Sequence, residues 1–248
     1  MASTAAETVL SIDTTDHVRT LTLNRPHARN ALSTELRAQF YAALSDAEAD
    51  DDVDVVILTG ADPAFCAGLD LKELGDTTEL PDISPKWPAM RTPVIGAING
   101  VAVTGGLELA LYCDILIASE NARFADTHAR VGLLPTWGLS VRLPQKVGVG
   151  MARRMSLTGD YLSADDALRA GLVNHVVPHD ELLGKAQELA SAIAAKDRRT
   201  VQEHKRMYDA GALVTLAECH RIEKAAFDAW EVTAEQQTAR TAAVLPRR

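Results

Sequence analysis

Glu108 is the residue whose neighbours best equip it to move a proton. It follows Gly105-Gly106-Leu107 and precedes Leu109-Ala110-Leu111. A carboxylate in so apolar a setting loses hydration, which favours its protonated form and lifts its pKa toward the range useful for proton transfer. A solvated position on a helix is the commoner fate of a glutamate, and the two preceding glycines set this one apart. The glycines belong to one of two similar turns, Phe65-Cys66-Ala67-Gly68-Leu69-Asp70 and Asn99-Gly100-Val101-Ala102-Val103-Thr104-Gly105-Gly106. A strand that ends in glycine and opens into a helix leaves backbone N–H groups without internal acceptors. Two such turns brought together can aim the N–H groups of Leu69 and Gly105 at one oxygen, as stabilisation of an enolate or oxyanion requires. Tight helix–sheet packing is the other use of such glycines.

The elements that must position these turns are legible from hydrophobic periodicity. Residues 53–59, 93–98 and 114–118 are short, nearly continuous apolar runs, as expected of strands covered on both faces. Residues 19–23 alternate like a half-exposed strand, and Asn24-Arg25-Pro26 ends it. Leu32, Leu36, Phe40, Leu44 and Ala47 recur at helical spacing. Strands alternating with helices imply a layered α/β core. Residues 73–90 carry Gly75, Pro81, Pro85 and Pro88 and read as a surface loop beside the first glycine turn. After about Gly159 the texture is helical: Leu182, Ala186, Leu189 and Ile193 make one stripe, and Leu213, Leu216, Ile222 and Phe227 lie in another helical region. The chain therefore divides into a core over residues 1–158, carrying the site, and a helical region over 159–248.

Composition narrows the function. The 248 residues are 47% hydrophobic, enough for a sizeable core. A formal charge of −9 argues against a nucleic-acid surface. No apolar run reaches the roughly 18 residues needed to span a bilayer. Residues 1–7 lack the basic and apolar pattern of a secretory signal. Cys66, Cys113 and Cys219 are far apart and odd in number, which favours free thiols in a reducing cytoplasm. His175 and His179 lack companions for a zinc site, and no metal is expected. Gly148-Val149-Gly150 lacks the third glycine of a dinucleotide fingerprint.

Ordered along the chain, several motifs resemble the enoyl-CoA hydratase/isomerase (crotonase) superfamily. They are Leu23-Asn24-Arg25-Pro26 with Arg29-Asn30-Ala31-Leu32, Ala64-Phe65-Cys66-Ala67-Gly68-Leu69-Asp70-Leu71-Lys72, and Ala97-Ile98-Asn99-Gly100. Gly105-Gly106-Leu107-Glu108-Leu109-Ala110, Cys113-Asp114-Ile115, Leu157-Thr158-Gly159-Asp160 and Ala170-Gly171-Leu172-Val173 follow in order. The resemblance runs from about residue 8 to the C-terminus and implies a spiral of ββα units with a helical C-terminal domain. It also implies a homotrimer or homohexamer, with residues 127–139 near a subunit contact. Glu108 matches the family's catalytic glutamate, and Leu69 and Gly105 match the oxyanion donors. Arg29 and Lys72 match positions near the phosphates of coenzyme A. Ala28, Ala31 and Ala67 match places where backbone approaches the adenine or pantetheine, and Asp70, Gly106 and Trp137 join the substrate-binding set. The implied substrate is an acyl-CoA thioester, with coenzyme A as part of the substrate and no separate cofactor.

The departures lie in Phe124-Ala125-Asp126-Thr127-His128-Ala129-Arg130-Val131-Gly132. Family hydratases place a second glutamate where this chain has His128. Imidazole accepts or donates a proton near neutrality, so His128 is either a working substitute or a histidine that only hydrogen-bonds at a subunit contact. Thr104 stands where the family has glycine, and Trp137 adds bulk beside the acyl tunnel. The first expectation is hydration of a 2-enoyl-CoA. Isomerisation, C–C cleavage or thioester hydrolysis on the same scaffold is the second, and a non-catalytic acyl-CoA-binding protein the third.

Overall fold

The computed structural model describes residues 8–74, 87–212 and 214–231. Strands β1 (Leu10–Thr15) and β2 (Val18–Leu23) form an antiparallel hairpin. Helix α1 (Thr34–Ala49) follows, capped by Ser33, whose hydroxyl accepts from the Leu36 N–H. Two strand–strand–helix units come next: β3 (Val55–Gly60), β4 (Ala64–Cys66) and α2 (Leu71–Leu74), then β5 (Val94–Ile98), β6 (Val101–Val103) and α3 (Gly105–Tyr112). The third comprises β7 (Ile115–Ser119), β8 (Arg123–Ala125), a single 3-10 turn at His128–Arg130 and α4 (Leu139–Thr158), which kinks at Gly148. Four short elements follow, β9 (Leu162–Ser163), α5 (Ala164–Arg169), β10 (His175–Val177) and α6 (Leu182–Ala194).

Each repeat gives its first strand to one sheet and its second to another. The larger sheet has the order β1-β2-β3-β5-β7-β10, parallel except at β1–β2, and the smaller has the order β4-β6-β8-β9. This is the expected ββα spiral. The apolar runs are continuous because successive side chains of the larger sheet enter different cores. Val56 and Leu58 join the large core shared with α1, α3 and the smaller sheet, whereas Val55 and Ile57 pack with Leu182, Ala186 and Ala190 of α6. Helix α6 therefore belongs structurally with the core strands, although its sequence lies in the helical region after residue 159. The compact units run over residues 1–198 and 199–248. Helix α7 (Arg198–Gly211) begins at that boundary and α8 (Leu216–Asp228) follows within the second unit. Leu213 of the second helical region, residues 1–7 and most of the loop expected over 73–90 lie outside the described residues, and α2 extends through Leu74.

The smaller sheet positions the site. Its parallel strands β4, β6 and β8 end in the segments that carry Leu69, Gly105 and His128. Asn30, fully buried with φ 56°, secures the first of these segments. Its side chain accepts from the Arg25 N–H at 2.8 Å and donates to the carbonyls of Ala61 (2.8 Å) and Ala64 (2.6 Å). The Ala67 N–H reaches Arg29 O and the Leu32 N–H reaches Gly68 O, so the Asn24–Leu32 motif is a clamp on the first glycine turn.

Two glycine substitutions separate crowding from helix propensity. At Gly106 an added Cβ would lie 2.1 Å from the Cys66 carbonyl oxygen, whereas at Gly184, on an exposed turn of α6, it would meet nothing within 4 Å. Gly106→Ala is expected to lower stability by about 1–3 kcal/mol through overpacking. Gly184→Ala is expected to raise it by roughly 0.5–1 kcal/mol through helix propensity. Denaturant titration of both variants checks the opposite signs.

Candidate active site

The three strand ends surround a cavity of about 340 Å³. Its walls include Ala67, Leu69, Thr104, Gly105, Glu108, Thr127, His128 and Trp137. The two glycine turns touch: an added Cβ at Gly105 would lie 3.5 Å from the backbone nitrogen of Leu69, and one at Gly68 would lie 3.4 Å from that of Gly105. Gly105 opens α3, so its N–H has no acceptor within the helix. The bridge between Leu32 and Leu69 uses the N–H groups of Leu32 and Asp70, which leaves the Leu69 N–H facing the other way.

Glu108 is only 3% exposed. Its Oε1 accepts from the backbone N–H of Trp137 at 2.9 Å and of Leu139, the first residue of α4, at 3.4 Å. Burial pushes its carboxyl above the usual carboxylate range; those N–H groups and the nearby His128 pull it back only in part. His128 lies across the cavity, with Nε2 3.9 Å from Glu108 Oε2. Its Nδ1 is 2.7 Å from Asp126 Oδ1, which also accepts from the His128 backbone N–H at 3.2 Å. For Asp126 burial again opposes charge, but the bonds from His128 and Ser156 outweigh it and hold the carboxyl below its usual range. An ionised Asp126 can only accept, so neutral His128 carries its proton on Nδ1 and turns the Nε2 lone pair toward Glu108. Asp126 is near enough in sequence to position water, but nothing in the sequence aims it inward. A carboxylate two residues before a candidate histidine was the available signal, and only the 3-10 turn aims it at the ring.

Thr104 has φ 54° and ψ −116°, a region that costs a non-glycine residue about 1–3 kcal/mol. Its N–H bonds the Ala125 carbonyl at 3.0 Å, and its hydroxyl lies 2.5 Å from that of Thr127. Gly106 does not line the cavity; it is the point where α3 closes onto the Cys66 backbone, so packing accounts for this glycine. Nor do Ala28, Arg29, Ala31, Asp70 and Lys72 line it. Asp70 pairs with Arg25 at 2.9 Å, and the Ala31 carbonyl accepts from the same guanidinium. Arg29 and Lys72 are exposed cations near the first turn. Cys66 is fully buried, its thiol pushed up to about 12 by burial, and has no acid–base use at neutral pH.

The family model described as enoyl-CoA hydratase/isomerase matches residues 13–244. A protein of Arabidopsis thaliana named "probable enoyl-CoA hydratase 1, peroxisomal" is 42% identical over 214 residues, 84% of this chain and 80% of its own. A crystal structure titled as an enoyl-CoA hydratase from Mycobacterium avium is 68% identical, with a TM-score of 0.77, covering 89% of this chain and 96% of that one. Another, titled as an enoyl-CoA hydratase from Bacillus anthracis, is 35% identical at a TM-score of 0.88, covering 94% and 95%.

Glu108 is expected to oppose folding once ionised. A pKa raised in the folded state means that its contribution is favourable at low pH and is lost as pH rises through the folded value. Glu108→Gln keeps the acceptor for the Trp137 N–H and removes the charge. Its stability relative to the parent is expected to increase with pH above the ordinary glutamate range and to show no gain in acid. Chemical denaturation across pH 4–8 checks the slope.

Proposed function

Because the chain belongs to the enoyl-CoA hydratase/isomerase family, we propose that its cavity adds water to the double bond of a 2-enoyl-CoA thioester. The observation that carries this reading is the pairing of Glu108 and His128 across 3.9 Å, beside two touching turns whose Leu69 and Gly105 line the same cavity. A water about 2.8 Å from both side chains fits that separation. His128 Nε2 takes a proton from the water as its oxygen bonds to the β-carbon. The electron pair of the double bond moves toward the thioester oxygen, where the N–H groups of Leu69 and Gly105 hold the developing charge. Protonated Glu108 delivers its proton to the α-carbon. Transfer of the proton from His128 to Glu108 then restores the starting state, and the atoms of one water have been added.

Asp126 acts through His128 by fixing the ring and its tautomer. Trp137 packs over Gly105, its Cζ3 3.6 Å from where a Cβ would stand, and bounds the space for the acyl chain. Arg29 and Lys72 supply positive charge for the phosphates of coenzyme A on the same side as the first turn. The reading includes a homotrimer or homohexamer, supported by large apolar side chains left in solvent, such as Leu134 (83% exposed) and Leu157 (78%). It also places the protein in the cytoplasm, where the free thiols Cys66 and Cys113 would stay reduced. Among the described residues, no helix is long and apolar enough to cross a membrane.

Turnover of but-2-enoyl-CoA, followed by product identification, tests the reaction. Glu108→Gln and His128→Ala are each expected to lower kcat by about 10²–10⁴-fold with the fold intact. Asp126→Asn is expected to lower kcat while leaving KM near the parent value, and His128→Glu to keep measurable hydration through a carboxylate pair. Parent-like turnover in His128→Ala would make the histidine structural. A parent that binds but-2-enoyl-CoA and returns no hydrated product would remove hydration in favour of another acyl-CoA reaction or simple binding.

A further inference from the structure

We propose that the hydroxyl pair Thr104–Thr127 holds the oxygen added to the β-carbon, first as water and then as the product hydroxyl, and so sets the configuration of the product. This rests on the hydration reading above. Two hydroxyls have two protons, and their mutual bond of 2.5 Å uses one. The second proton has no acceptor among the hydrogen bonds of the described residues, and both side chains line the cavity that contains Glu108 and His128. The pair also links the two catalytic segments, since Thr104 directly precedes Gly105 and Thr127 directly precedes His128.

Retention of Thr104 in strained backbone is the second observation. Glycine would adopt φ 54° freely, and the Thr104 N–H bond to the Ala125 carbonyl does not depend on its side chain. What the side chain adds is the hydroxyl directed at Thr127. Strain kept at a cavity wall points to use of the group that causes it.

A water between His128 and protonated Glu108 gives one proton to His128 Nε2 and the other to a lone pair that Glu108 Oε2 retains, and so presents two lone pairs of its own. One must face the β-carbon, and a donated bond from the threonine pair occupies the other. The same donor then binds the β-hydroxyl oxygen on one face of the product only. A product of opposite configuration leaves the donor unsatisfied, which discriminates by the worth of one hydrogen bond.

The test is calorimetric binding of butanoyl-CoA and the two enantiomers of 3-hydroxybutanoyl-CoA, with kcat and KM for but-2-enoyl-CoA measured alongside. The parent is expected to prefer one enantiomer by about three- to tenfold, the size of one net hydrogen bond. Thr127→Val keeps the shape but leaves the Thr104 hydroxyl without the partner that fixes its direction, and should weaken that preference and leave butanoyl-CoA binding unchanged. It should also lower kcat with KM near the parent value, and Thr127→Ser should restore both. Thr104→Gly should raise the unfolding midpoint while losing the same preference, which separates the hydroxyl's role from damage to the fold. Equal enantiomer binding in the parent, or an unchanged preference in Thr127→Val, would overturn the proposal. A parent with the preference but without turnover would instead count against hydration alone, because the binding arm does not require catalysis.

Discussion

The contact between Gly106 and the Cys66 backbone is the constraint on which the site depends. With no side chain at Gly106, α3 closes onto the end of β4 until an added Cβ would sit 2.1 Å from a carbonyl oxygen. That closeness brings the Leu69 and Gly105 amides into neighbouring positions, and it sets Glu108 two residues further along the same helix. Larger residues on α3 would separate the two turns by the thickness of a side chain. Two amides so separated could not serve one atom, as the proposed oxyanion role requires, since hydrogen-bond strength falls steeply beyond about 3.2 Å. The demand on this glycine is steric, and the chemistry follows from the steric demand.

Burial of Glu108 follows from the same closure. A fully desolvated carboxylate is unfavourable unless donors surround it. Here the donors are the Trp137 N–H and the N-terminus of α4, where unpaired amides and the helix dipole favour negative charge. They compensate incompletely, and the carboxyl stays above its ordinary range. Incomplete compensation suits proton transfer, because a carboxyl raised above its ordinary range keeps its proton more readily than a solvated one and is the better acid to deliver it near neutrality. Glu108 thus links α3 to the start of α4 in the fold while remaining titratable.

Much of this arrangement was legible in the sequence, and the illegible parts have physical causes. The runs at 53–59, 93–98 and 114–118 read as strands because both faces of the large sheet are covered, so nearly every position is apolar. Strand β1 escaped notice because five of its six residues are exposed at a sheet edge. The three-residue strands of the smaller sheet are too short for any period to register. Helix α6 looked like part of a separate helical region, since its stripe does not say which surface it covers. Glu108, Leu69, Gly105, His128, Ala67 and Trp137 meet at one cavity as the glycine turns and motif order imply. Asp70 was less legible: its partner Arg25 lies 45 residues away, and spacing carries no record of that pairing.

His128 with Asp126 is more than a second carboxylate in different form. Two carboxylates facing one water repel each other, and a pair so close shares a proton because both cannot ionise freely. In this chain the two buried carboxyls are driven apart instead. Asp126, bonded to the imidazole and to Ser156, is held ionised below its ordinary range, and Glu108, buried with weaker compensation, is raised above its own. The imidazole lies between them, bonded to Asp126 on one side and 3.9 Å from Glu108 on the other, a separation that one water beside both atoms can bridge. The negative charge that balances a protonated His128 is therefore already present before the reaction begins. In the proposed hydration Glu108 need not supply it and is left free to carry the proton that the α-carbon requires.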